Sequence, residues 1–167
     1  MRKLLFFILL MCVTRTYAAD PDIQEIKNLF QASAKSKASA NQLLKLLSTV
    51  NEASNPLLIS YKGAAEMMQA KYVFSPISKI KRFNTGKHLI EEAVKRAPEN
   101  LEIRFLRFAI QTNLPAFLGY NEHIPQDKKY LLSHVKTTKD KILKQNIEKY
   151  LSTSKYCTAE EKKGLST

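Results

Sequence analysis

Apolar residues recur at intervals of three and four along this chain, and no sustained alternation of period two competes with them. That pattern restricts the fold to helices packed on helices, because a strand would need every second side chain to be apolar. Ile23, Ile26, Phe30 and Ala34 trace one face, with Asp20-Pro21 as a cap and first-turn proline. After the small-residue stretch Ala32 to Ala40, which predicts a turn, Leu43, Leu47 and Val50 trace a second helix. Asn55-Pro56 and Ser75-Pro76 each start another, and Pro98 ends the helix before it by removing a donor and crowding the preceding turn. Gly63-Ala64-Ala65 sits inside the third helix, where glycine costs about 1 kcal/mol of helix propensity. The compensation expected is close approach of a neighbouring helix.

The segment from about Leu101 to Thr112 is apolar on two sides, Leu101, Phe105 and Phe108 on one and Ile103, Leu106 and Ile110 on the other. A helix of that kind lies between neighbours. Its one polar stripe is Arg104, Arg107 and Gln111. Pro and Gly interrupt the chain from Asn113 to Asn121. Helices opening at Pro125 and Asp140 follow, the latter with Ile142, Leu143, Ile147, Tyr150 and Leu151 inward. Thr158-Ala159-Glu160-Glu161 is a capping box for a short last helix. These segments add up to an all-α single domain of about seven to eight helices, arranged as stacked antiparallel hairpins.

Gly86-x3-Ile90-x2-Ala93-x4-Pro98 resembles the second helix of a tetratricopeptide repeat, in which small residues let two helices touch and proline stops the chain. The helix before it lacks the expected aromatic and Leu-Gly pairing. The interval from Leu57 to Leu101 is about 44 residues against the roughly 34 of a standard repeat, so an insertion is expected near Phe74–Lys79. Tyr61 to Met68, Ile103 to Phe108 and Pro115 to Tyr120 also resemble a group of small exported bacterial proteins typical of the Bacteroidota. That resemblance implies a tetratricopeptide-like fold and an envelope location, and brings no catalytic residues.

The first residues carry an address. Met1-Arg2-Lys3 is basic, Leu4 to Val13 is apolar, and Thr16 and Ala18 fit the small positions of a signal-peptidase site, so residues 1–18 read as a signal peptide and 19–167 as the domain. The apolar run of 10 residues falls well short of the roughly 20 needed to span a membrane, so no transmembrane span is expected after cleavage. Cys12 follows Met11 rather than a small residue, which argues against a lipidated leader. The expected location is periplasmic or extracellular. Removing the leader takes Arg2, Lys3 and Arg15 from the 27 cations and none of the 15 acids, so the net charge falls from +12 to +9. Such a balance favours anionic partners, yet the lysines are scattered rather than blocked, and no nucleic-acid motif accompanies them.

Chemical signatures are sparse. His88, His123 and His134 lack metal-ligand spacing, and the 4 glycines form no phosphate-cradling loop, so no metal or cofactor is expected. Cys157 precedes the last helix, whose N-terminus would lower a thiol pKa slightly, but no histidine is near in sequence. Glu91-Glu92 reads as a solvated face, since adjacent helical residues point apart. Two surfaces remain. Arg104, Arg107 and Gln111 would suit a carboxylate or phosphate partner, or else pair with Glu66 or Glu102. Phe117, Leu118 and Tyr120 are large for a loop, and would bind a partner or close over the core. The sequence reading is therefore a non-enzymatic interaction module for a protein or peptide, with a charge-driven binder of anionic membrane or polysaccharide as the alternative.

Overall fold

A computed structural model describes residues 21–165; the signal-peptide assignment lies outside them. Among the described residues the chain forms eight α-helices and one 3-10 turn, with no strand. They are α1 (Ile23–Ser33), α2 (Lys37–Leu46), α3 (Pro56–Ala70), α4 (Pro76–Arg96), α5 (Leu101–Asn113), α6 (Ile124–His134), α7 (Lys141–Thr153) and α8 (Ala159–Leu165), the 3-10 turn being Ala116–Leu118.

Local chemistry sets most of these boundaries. Asn55, Ser75 and Asp140 cap α3, α4 and α7, each accepting from a backbone N–H of the first turn. Asp22, not Asp20, caps α1, so Pro21 lies just outside the helix. Thr158 and Glu161 form the expected reciprocal box: the Thr158 N–H donates to Glu161 Oε2 (2.8 Å) and the Glu161 N–H to Thr158 Oγ1 (3.2 Å). Of the stretch Phe74–Lys79, where an insertion relative to a standard repeat is expected, Ser75 is the cap of α4 and residues 76–79 form its first turn. Helix α4 runs from there for 21 residues, because Pro76 at its first turn is compatible with a helix start.

Helices pack as sequential pairs, α1 on α2, α3 on α4, α5 on α6 and α7 on α8, and the odd-numbered helices also touch in order, α1 to α3, α3 to α5 and α5 to α7. The α3–α4 pair is the closest. A Cβ on Gly63 would stand 2.8 Å from the Gly86 carbonyl oxygen, and one on Gly86 would stand 2.6 Å from the Gly63 carbonyl oxygen. Only glycine lets the two backbones meet at that point.

Two apolar clusters result. Ile26, Leu43, Leu47, Ile59, Ala93 and Ile103 belong to the first; Phe108, Leu131, Val135, Ile147, Leu151 and Cys157 belong to the second. Helix α5 supplies residues to both, which is why it is apolar on two sides. No helix among the described residues is long and apolar enough to cross a membrane.

Candidate functional site

The polar stripe of α5 is buried. Arg104, Arg107 and Gln111 are 6%, 2% and 1% exposed, which excludes a surface role for them in this conformation. Their partners are neither Glu66 nor Glu102. Arg107 donates through Nε to Asp127 Oδ2 (2.7 Å), through a terminal nitrogen to Asp127 Oδ1 (2.9 Å), and through the other to Glu91 Oε2 (2.7 Å). Arg104 Nε lies 2.7 Å from Asp127 Oδ1, off the line of a good hydrogen bond, and its guanidinium stacks 4.9 Å from the Tyr130 ring centre. Asp127 is fully buried on the first turn of α6. Burial alone would lower the Arg107 pKa, but the hydrogen bonds and charges of Asp127 and Glu91 outweigh it, so Arg107 is held firmly protonated.

Glu91 is not a merely solvated side chain. Besides Arg107 it accepts from the Tyr120 hydroxyl (2.6 Å), and His123 approaches it at 3.7 Å. Tyr120 is therefore buried, with Phe83 edge-on against its ring and Lys87 above it. Leu118 is half-buried, and Phe117 is 86% exposed. Of the loop expected to bind a partner or close over the core, Tyr120 takes the core and Phe117 the solvent. Gly119, with φ +60°, provides the left-handed step that ends the 3-10 turn between them.

Cys157 is buried in the second cluster, and its thiol pKa is pushed up, first by desolvation and then by Glu161, against a smaller opposite pull from Lys128 and Lys162. The expected lowering by the α8 N-terminus is overridden, and a thiolate nucleophile is disfavoured. Among the described residues no group of histidine, cysteine and carboxylate side chains has the arrangement of a metal site.

A different surface has the shape of a site. Between α1, α3, α5 and α7 runs a groove of about 270 Å³. Phe30 and Tyr61 meet edge to face at 5.7 Å on one side of it, and Phe105 and Tyr150 at 5.6 Å on the other. Ile142 of α7, expected inward, is 60% exposed and lines this groove instead. The floor is charged and organised. Tyr61 donates its hydroxyl to Glu102 Oε1 at 2.5 Å, while Lys27 pairs with Glu102 Oε2 at 2.9 Å. Desolvation first, and Glu102 second, push the Tyr61 pKa well above the ordinary tyrosine range, so the hydroxyl stays a donor. Gln31 and Asn146 stand at the rim with exposed carboxamides. At 100° per residue, Glu102, Phe105 and Leu106 face the groove about half a turn away from Arg104, Arg107 and Gln111. The sequence-predicted arginines and the groove thus occupy opposite sides of α5.

No local motif marks this groove, because each helix gives it only one to four residues. The available signal was the register of the odd-numbered helices, once their pairing was known. No protein-family model matches the chain, and no curated protein or solved structure matches it.

Proposed function

We propose that this protein is a helical interaction module without chemistry of its own, acting outside the cytoplasm, and that it holds an extended peptide segment in the groove across α1, α3, α5 and α7. The observation that carries the reading is the composition of that groove. Aromatic and aliphatic walls would take one or two apolar side chains, while the Gln31 and Asn146 carboxamides, each with both donors and acceptors, suit a peptide backbone. The Tyr61–Glu102–Lys27 floor would select against an unpaired charge entering the groove. The tetratricopeptide-like spacing around Gly86 supports the same reading, since stacked hairpins expose alternate helices along one concave face.

A displayed library of random linear peptides provides the test. Enriched peptides should carry an apolar anchor and should bind wild type at least about tenfold more tightly than an Ile142→Asp variant. Ile142 is exposed, so that variant keeps its fold. Absence of any enriched linear peptide, or equal binding to both proteins, would remove the groove as the binding surface.

A further inference from the structure

The α3–α4 turn and the first turns of α4 carry the largest exposed apolar side chains in the described chain that lie close together in sequence. Phe74 is 95% exposed, Ile77 80% and Ile80 58%. They are not on a loose loop. The Tyr72 hydroxyl donates to the Ser33 carbonyl (2.6 Å) and Lys71 Nζ to the Ala34 carbonyl (2.7 Å), which ties the turn to the end of the first hairpin. Ser75 caps the helix that follows, and the Gly63–Gly86 contact locks that helix to α3. The apolar side chains are therefore held out in water by a rigid frame, an arrangement that marks an interaction site.

Charge identifies the occupant. From residue 67 to residue 90 the sequence contains Lys71, Lys79, Lys81, Arg82 and Lys87 and not one carboxylate. Arg82 is engaged by Glu66, while Lys79 and Lys81, which interleave with Ile77 and Ile80 in sequence, are exposed. Apolar side chains flanked by lysine are the composition of an element that lies in an anionic lipid interface, with the apolar tips among the acyl chains and the ammonium groups at the phosphates. A side chain as exposed as Phe74 has no protein wall around it, so this ridge is convex, and a soft surface accommodates it better than a folded groove would.

We propose that the α3–α4 tip docks the protein on an anionic phospholipid surface through Phe74, Ile77, Ile80, Lys79 and Lys81. The docking is peripheral and involves no membrane-spanning helix. It is independent of peptide binding, which uses side chains of α1, α5 and α7 and Tyr61 of α3, none of them in the tip.

Flotation of the purified protein with vesicles tests this. Wild type should float with vesicles of phosphatidylcholine mixed with phosphatidylglycerol and much less with phosphatidylcholine alone, and added salt should release it. Phe74→Ser/Ile77→Ser should weaken partitioning at least about tenfold. Lys79→Gln/Lys81→Gln should weaken it about 25-fold, roughly fivefold for each lysine, on anionic vesicles only. All four side chains are exposed, so unchanged helical circular dichroism is expected of both variants. Failure of wild type to float with the anionic vesicles overturns the proposal, as does wild-type flotation of Phe74→Ser/Ile77→Ser. Binding to soluble polyglutamate through the same residues, with vesicles untouched, overturns it in favour of an acidic protein segment.

Discussion

Replacing Asp127 by asparagine changes one oxygen to an amide and leaves the shape of the side chain almost intact, which isolates the role of its charge. In the native structure that carboxylate is fully buried and faces both Arg104 and Arg107 at 2.7 Å. Asparagine would leave two guanidinium groups out of water, with Glu91 as the remaining carboxylate against Arg107. Removing one partner of a buried ion cluster costs about 3–5 kcal/mol, because the charges left behind have lost both water and counter-charge. Against a total stability of about 5–15 kcal/mol for a domain, that is about a fifth or more. At about 2–4 °C per kcal/mol for a chain of this size, the melting temperature should fall by about 6–20 °C. Urea denaturation followed by circular dichroism should show the midpoint falling in proportion, with the slope unchanged. The converse variant, Arg104→Met/Arg107→Met/Asp127→Leu, removes all three groups together and should lose far less, since an apolar replacement of a whole buried cluster is often neutral. If Asp127→Asn melts within 1–2 °C of wild type (less than about 1 kcal/mol), the cluster is not a structural ion pair, and the arginines return as candidates for a ligand.

Gly86→Ala should destabilise the protein by up to about 2 kcal/mol, because overpacking against the Gly63 carbonyl, at about 1–3 kcal/mol, outweighs the roughly 1 kcal/mol gained in helix propensity. Gly164→Ala, whose Cβ meets nothing within 4 Å, should instead gain up to about 1 kcal/mol, so thermal melts of the two variants moving in the same direction would contradict the packing argument. Alkaline titration tests the two buried tyrosines. Burial, helped by Glu102 for Tyr61 and by Glu91 for Tyr120, raises both pKa values in the folded state. Their contribution is thus fully present below the unfolded value of about 10 and is lost as pH rises above it, when the unfolded chain ionises first. Difference absorbance at 295 nm between wild type and Tyr61→Phe or Tyr120→Phe should show these groups ionising only as the helical signal collapses; ionisation near pH 10 with helices intact would contradict the burial.

Much of the architecture was legible because its causes are local. Asn55-Pro56, Ser75-Pro76 and Thr158 with Glu161 mark helix starts through groups within three residues of one another. Gly63 and Gly86 signalled a close crossing because glycine inside a helix needs compensation, and the contact between them supplies it. The site was less legible for the converse reason. Arg107 finds Asp127 20 residues downstream and Glu91 16 residues upstream, and no spacing rule selects those carboxylates over Glu66 or Glu102. Ile142 fits the inward register of α7, yet the space beside it stays open, because the opposing wall comes from α1 and α5. Phe117 and Tyr120 look alike in sequence, but the chain turns through the positive φ of Gly119 between them, and Glu91 and Phe83 of α4 receive Tyr120 while Phe117 stays exposed.

Helix α5 contributes Ile103 and Leu106 to one apolar cluster and Phe108 to the other. A repeat protein whose hairpins each met only the next could be shortened, duplicated or shuffled at any joint. Here a cut on either side of α5 would strip one of its faces, which couples the two halves in melting. The two halves should therefore unfold in a single cooperative step, and adding or deleting hairpins across α5 should destabilise both.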